Sequence, residues 1–149
     1  MIDFSKDAFE ARMHHLVDLV NADSRIFGMM YPEIVSCEAE VPAITMSFPA
    51  QPWEQNLTGA INGGIVATMM DTVMGTLTYA ITGGFTPTIS MSITYARPAP
   101  GDGTLLVRSR ATMAGQTVLC VDAEMWDSRH PEKLVATAQG IFRNLPEAP

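Results

Sequence analysis

Between Glu54 and Arg97 the chain carries one charged residue, Asp71, set among Ile65, Val66, Met69, Met70, Val73, Met74 and Leu77. A carboxylate in such company is expensive to bury unless it is paired, hydrogen-bonded or functional. Upstream, the run opens with Asn62-Gly63-Gly64. If a helix starts there, its first N–H groups lack partners within the helix and its dipole is positive. Glycine lets a ligand approach that backbone closely. One segment therefore offers a site for an anion or a carbonyl at its mouth and a solitary carboxylate further along.

The elements that must hold these groups follow from periodicity. From Asn62 to Ala80 the run is apolar or small all round, which predicts a helix covered on most sides, about 28 Å long. Gly83-Gly84 is its natural stop. Ahead of it, Ser5 to Val20 predicts an amphipathic helix with Ser5 as N-cap and Phe9, Met13, Leu16, Val17 and Val20 on one face. His14 and His15 read as surface or cap histidines. Residues 21–31 read as a loop, with Ser24 to Met30 a lid-like apolar segment. Two short strands are expected at Glu33–Glu40 and Ala43–Phe48, broken by Pro42. After the helix, Ile89, Met91, Ile93 and Tyr95 alternate with Thr88, Ser90, Ser92 and Thr94, which predicts a strand. Further strands are expected at Thr104–Met113, Thr117–Trp126 and Leu134–Phe142, with Ala114-Gly115-Gln116 as a hairpin turn. Ala136, Ala138 and Gly140 are small, as they must be if the helix lies close. Residues 145–149 read as a tail. The order predicts an α+β fold: one curled antiparallel sheet of about six strands wrapped around a central helix.

Composition bounds the function. The 149 residues fit one domain, with a helix and loop over 1–30, a core over 31–143 and a tail over 144–149. A net charge of -7 and only two lysines argue against a nucleic-acid binder, and a polyanionic ligand would depend on the seven arginines and on backbone amides. Cys37 and Cys120 lack metal spacing, so no metal is expected and both are read as reduced thiols. Met1 to Ser5 shows no basic segment before an apolar stretch, which points to a cytoplasmic protein. The length of the Ile61–Ile81 run invites a transmembrane reading, against which Asp71, the threonines and the glycines speak. A low charged fraction of 17% and unpaired strand edges predict self-association.

The segment Gly59-Ala60-Ile61-Asn62-Gly63-Gly64-Ile65-Val66-Ala67-Thr68-Met69-Met70-Asp71 resembles that of hotdog-fold acyl-CoA thioesterases of the phenylacetate-degradation (PaaI-like) type, within the 4-hydroxybenzoyl-CoA thioesterase superfamily. In that group a His-Gly-Gly precedes an apolar helix with an acidic residue nine positions after the His. Ser92 to Ala99, Gly115-Gln116 and Val135 to Gly140 resemble later parts of the same group, so the likeness spans about 43–143. The resemblance implies hydrolysis of acyl-CoA to free acid and coenzyme A, without a cofactor. Asp71 stands where the family has its general base or nucleophile, and the Gly63 N–H where the thioester carbonyl is polarised. Asn56 and Thr88 match positions that some members place near the attacking water. The site straddles a dimer interface in the family, with Asp71 of one subunit facing Gly63 of the other, and two dimers commonly form a tetramer.

Two departures stand out. Asn62 replaces the motif His; it can cap a helix but does not titrate near neutral pH, which shifts the acid–base work to Asp71. Gln116 stands where many members carry Arg or Lys near the coenzyme A phosphates, so Arg97, Arg108, Arg110 and Arg143 are the candidates to hold them, with Asn62, Gly64 and Gly115 as backbone or polar contacts. A polar partner for Asp71 is expected from Asn56 or Thr88; a purely structural Asp71 would be satisfied by Thr68 or Thr72. Phe85, Tyr79 and Met91 suit an aromatic or medium aliphatic acyl group. Two other readings stand beside the thioesterase: an acyl-CoA-binding hotdog module without activity, motivated by the lost His, and an enoyl-CoA hydratase or dehydratase, which needs a His where this chain has none between His15 and His130.

Overall fold

The computed structural model describes residues 5–22 and 25–145. Met1 to Phe4, Ser24 of the expected lid, the side chain of Val20 and residues 146–149 of the expected tail lie outside them.

Helix α1 (Lys6–Asn21) begins where Ser5 caps it, the Ser5 hydroxyl accepting the Ala8 N–H at 3.3 Å. It buries Phe9, Met13, Leu16 and Val17. A single turn, α2 (Ile26–Met29), stands where a loop was expected. Strands β1 (Glu33–Glu38) and β2 (Ala43–Pro49) follow, β1 stopping two residues short of the expected end. Then come a 3-10 turn (Pro52–Glu54), the long helix α3 (Gly63–Thr82), and β3 (Thr88–Tyr95), β4 (Thr104–Ala114), β5 (Val118–Asp127) and β6 (Leu134–Arg143).

The six strands form one antiparallel sheet in the order β1-β2-β4-β5-β6-β3, curled around α3: this is the hotdog fold. Met69, Met70, Val73, Met74 and Leu77 of α3 are fully buried with Ile44, Met46, Val107, Val121 and Met125 of the sheet. Each such side chain contributes about 1.5–3 kcal/mol on leaving water. The small β6 residues do what the close approach demands. A Cβ on Gly140 would lie 2.7 Å from the Phe142 ring and 3.1 Å from Met74 Sδ, so only glycine fits. Helix α3 ends as expected: Gly83 takes φ +77° and donates its N–H to the Tyr79 carbonyl at 2.7 Å. Nearby, Arg12 Nε donates to the Ala80 carbonyl at 2.8 Å, setting a cation at the negative end of the helix. By length and hydropathy α3 could cross a bilayer, yet 56% of its most apolar window is buried inside this fold.

The cover on α3 is not complete. Gly64 is exposed, and Thr68, Asp71, Thr72, Gly75, Tyr79 and Thr82 are half-buried, all at helical spacing. The helix expected to be covered on most sides thus has one open stripe, made of its small and polar residues. Both outer strands also have a free edge among the described residues, and β3 pairs only with β6.

Candidate active site

The start of α3 is held from three directions. Asn62 N–H donates to the Glu54 carbonyl at 2.8 Å, and Ile61 N–H to the Ala99 carbonyl at 2.9 Å. Glu54 is itself fully buried; one carboxylate oxygen accepts the Gln51 N–H at 2.9 Å, and the other has no partner among the described residues. Burial pushes its carboxyl above the ordinary value of 4.5, opposed by the Gln51 hydrogen bond. Gly101 has no room for a side chain against the Gly59 carbonyl, which keeps the β3–β4 connection pressed on this loop. Arg129 ties the far side of that connection, binding Asp127 at 2.7 Å and Asp102 at 3.2 Å.

Asn62 is the N-cap of α3: its side-chain oxygen accepts the Gly64 N–H at 2.8 Å. The Ile65 and Val66 N–H groups both go to the Asn62 carbonyl, at 2.9 and 3.0 Å. Of the four N–H groups that open the helix, only that of Gly63 is left without a partner among the described residues. Tyr95, at the end of β3, lays its ring 3.6 Å from where a Gly63 Cβ would be and donates its hydroxyl to the Gly63 carbonyl at 2.8 Å. Tyr95 was expected only as one face of a strand.

Two turns along the helix lies the carboxylate. Thr88, the first residue of β3, donates its hydroxyl to Asp71 Oδ1 at 2.8 Å. Thr68 instead bonds the Gly64 carbonyl at 2.9 Å. Asn56, the other expected partner, sits in the loop before α3, where its side-chain oxygen accepts both the N–H and the hydroxyl of Thr58, at 2.9 and 2.7 Å. Within one chain it belongs to the Gly63 end and not to Asp71. Asp71 is eight residue steps along the helix from Gly63, roughly 12 Å along the axis, so one chain holds two half-sites that do not meet. Strand β3 touches both: its first residue holds the carboxylate, its last the glycine carbonyl.

Beside Asp71 opens a cleft of about 390 Å³. Its lining joins the polar Asp71, Thr86 and Thr88 to the apolar Leu16, Phe27, Phe85 and Phe142. Phe85 packs on Tyr79 with ring centroids 5.3 Å apart. Gly75, one turn beyond Asp71, is in the floor. The sequence places Leu16 on the apolar face of the first helix, Phe27 in the lid-like segment and Phe142 at the end of the last strand; that the three line one cleft is not visible there, because they come from separate elements.

The candidate phosphate contacts divide between the two ends of the sheet. Gly115 and Gln116 form the β4–β5 turn, Asn144 reaches the Gly115 carbonyl at 3.5 Å, and Arg143 N–H donates to the Pro87 carbonyl at 2.8 Å, so these residues gather where β3 begins. Arg97 follows the other end of β3 and donates to the Leu134 carbonyl at 2.7 Å. Arg108 and Arg110 lie on the outer face of the sheet, Arg108 paired with Glu38 at 3.0 Å. His14 and His15 are exposed on α1 and His130 in the β5–β6 turn, none of them lining the cleft. Among the described residues no group of three His, Cys, Asp or Glu is placed to hold a metal.

Comparison with solved structures gives the same architecture. A phenylacetic acid degradation-related protein of Ralstonia eutropha superposes with a TM-score of 0.77 at 24% identity, over 89% of this chain and 98% of that one. The PaaI protein from the phenylacetic acid degradation operon of Escherichia coli gives 0.77 at 14% identity, over 91% and 95%. A protein of Streptococcus mutans, solved bound to acetyl-CoA, gives 0.70 at 21% identity, over 79% and 91%. No curated protein matches the chain. The family model of the thioesterase superfamily matches residues 58–133, just over half the length, from the loop before α3 to the turn before β6, and the chain belongs to that superfamily.

Proposed function

We propose that this chain hydrolyses acyl-CoA thioesters to the free acid and coenzyme A, at a site shared between two copies of itself. The observation that carries the reading is the division of labour along β3. Its free edge can pair antiparallel with the same strand of a second copy. Centred between Met91 and Ser92, such pairing sets Thr88 of one chain opposite Tyr95 of the partner subunit. The Asp71 carboxylate that Thr88 holds then faces the Gly63 N–H that Tyr95 flanks across the interface. Arg97 of the partner subunit comes toward the end where Gly115, Gln116 and Arg143 gather, which suits the coenzyme A phosphates. The apolar residues left exposed near this edge, Phe85, Ile89 and Tyr95 among them, would be covered.

In this arrangement the substrate carbonyl oxygen points at the Gly63 N–H, a donor aimed where charge develops. Asp71, oriented by Thr88, takes a proton from water as the water oxygen bonds to the carbonyl carbon; alternatively its oxygen attacks that carbon first, and the anhydride left once the thiolate has gone is opened by water, which returns the Asp71 carboxylate and releases the acid. The C–S bond then breaks, the thiolate of coenzyme A leaves and is protonated, and the acid remains. Asn56, at the Gly63 end, would stand near the attacking water, and Asn62 and Gly64 shape the helix mouth. The acetyl-CoA held by the S. mutans protein supports this substrate class. We assign the protein to the cytoplasm, as a homodimer or a tetramer of two dimers.

A second reading is favoured by one feature. With the Asn62 side chain committed to capping Gly64, the motif position offers no acid or base, as in a module that binds acyl-CoA without cleaving it. A thiol-release assay on wild type and Asp71→Ala separates the two, with phenylacetyl-, benzoyl-, short- and medium-chain acyl-CoAs. The thioesterase reading expects release by wild type and a loss of roughly 10²–10⁴ in rate in the variant. No release from any of these, with acyl-CoA still bound by both proteins, would establish the binding module instead.

A further inference from the structure

Gly75 is a glycine that the fold itself does not ask for. It lies in the middle of α3 with no left-handed backbone angle, and a Cβ built there would meet only the Phe142 ring, at an ordinary 3.9 Å. Gly140 and Gly101, by contrast, have no space for one. A glycine in a helix interior weakens the helix relative to alanine, so its presence here needs a reason from outside the chain's own packing. Its position supplies one. Gly75 follows Asp71 by one turn, roughly 6 Å, on the same open stripe and in the floor of the cleft. Around it the wall is aromatic and apolar: Phe142 from β6, Phe85 after α3, Phe27 from α2 and Leu16 from α1.

We infer that Gly75 is the residue that sets acyl-group size, and that the cleft over it takes an apolar acyl body larger than acetyl, a ring or a chain of several carbons. The inference rests on the proposed acyl-CoA site and adds where the acyl group goes. With its carbonyl beside Asp71, the acyl group extends along α3 over Gly75 and lies against Phe142, with Phe27 and Leu16 closing the far end. The N-terminal helices α1 and α2 thereby become part of substrate selection, although the family model begins only at residue 58. A side chain at position 75 would fill the passage, and acetyl would stop short of it.

The test uses S-ethyl-, S-hexyl- and S-phenethyl-coenzyme A, thioethers that cannot be hydrolysed, titrated calorimetrically into wild type, Gly75→Ala and Gly75→Leu, with melting temperature and molar mass in solution measured for each. Wild type should prefer the hexyl and phenethyl ligands. Gly75→Ala should melt no lower than wild type. Gly75→Leu should lose roughly tenfold or more for the two bulky ligands, as a filled apolar pocket does, while S-ethyl binding changes by less than about twofold. Equal weakening of all three ligands, no preference in wild type, or a drop in molar mass showing that Gly75 serves subunit packing would each overturn the inference. Because no bond is cleaved, the outcome does not depend on turnover. A chain that shows the size preference but releases no thiol from acyl-CoA keeps the acyl site and loses the hydrolase, and one that hydrolyses without a Gly75 effect does the reverse.

Discussion

Thr88→Val is the perturbation that isolates what β3 does for the carboxylate. Valine keeps the β-branched shape that suits a strand, so the pairing of residue 88 with Phe142 and the start of β3 should persist. What disappears is the hydroxyl that donates to Asp71 Oδ1 at 2.8 Å. Thr88 is exposed and Asp71 only half-buried, so water can replace the lost donor in the free protein. Stability should therefore change by less than about 0.5 kcal/mol, as for most surface substitutions. Catalysis has no such substitute, because water does not fix the direction of the carboxylate. A hydrogen bond to a charged group contributes about 1.5–3 kcal/mol, which as lost transition-state stabilisation is roughly 10- to 150-fold in kcat. The assay is steady-state thiol release with the best acyl-CoA, alongside thermal melting, on wild type, Thr88→Val and Thr88→Ser. Serine restores the donor and should recover most of the rate. Full activity in Thr88→Val, in a protein that Asp71→Ala inactivates, would refute the orienting role and leave Thr88 an ordinary strand residue.

Two further outcomes follow from the site's other supports. Tyr95→Phe keeps the ring against Gly63 and removes only the 2.8 Å bond to its carbonyl, so kcat should fall about 2- to 12-fold, the effect of one neutral hydrogen bond of about 0.5–1.5 kcal/mol, with the melting temperature nearly unchanged. Glu54→Gln tests the buried carboxyl through pH. Because burial raises the folded-state value above the ordinary 4.5, the native chain binds more protons than the unfolded one between those two values, and wild-type stability falls as pH rises through that window. Glutamine does not titrate, so the melting-temperature difference between variant and wild type should grow in the variant's favour from pH 4.5 upward and then level off; a difference flat in pH would mean that Glu54 is not desolvated as described.

Much of the architecture was readable along the chain because its signals are local. The Thr88–Tyr95 alternation, the Gly115 turn, the Gly83 stop and the Ser5 cap each depend on a few neighbouring residues, and each is where the sequence put it. The small residues of β6 foretold a helix close by, and Gly140 against Met74 is that contact. A helix covered on most sides leaves one side open, but which side was not legible, because glycine and threonine count as neither strongly polar nor bulky and Gly64, Thr68 and Gly75 blend into an apolar run. Only the curl of the sheet shows which face it leaves uncovered. Of the cleft's apolar wall the sequence offered Phe85 for the acyl group and Phe27 within a lid-like segment, but not their meeting with Leu16 and Phe142, which topology brings together over most of the chain. Within one chain Asn56 lies at the Gly63 end of α3, where its side chain bonds Thr58, while Asp71 lies about two turns away, a separation that residue types alone do not reveal. The α2 turn has only four residues, too few for a periodic pattern to mark it, and β1 ends two residues early, the scatter that borders of short strands show.

The distance along α3 between Gly63 and Asp71 has a consequence for inheritance and for damage. If each centre draws its glycine from one chain and its carboxylate from the other, a dimer of two differently injured chains is not doubly injured throughout. A chain damaged at Asp71, joined to one damaged around Gly63, concentrates both lesions in one centre and leaves the other built wholly from sound parts. Half of the centres in such a hybrid would be intact, although neither parent alone has any. A loss at the carboxylate and a loss at the helix mouth would then complement each other, whereas two losses at the same end would not.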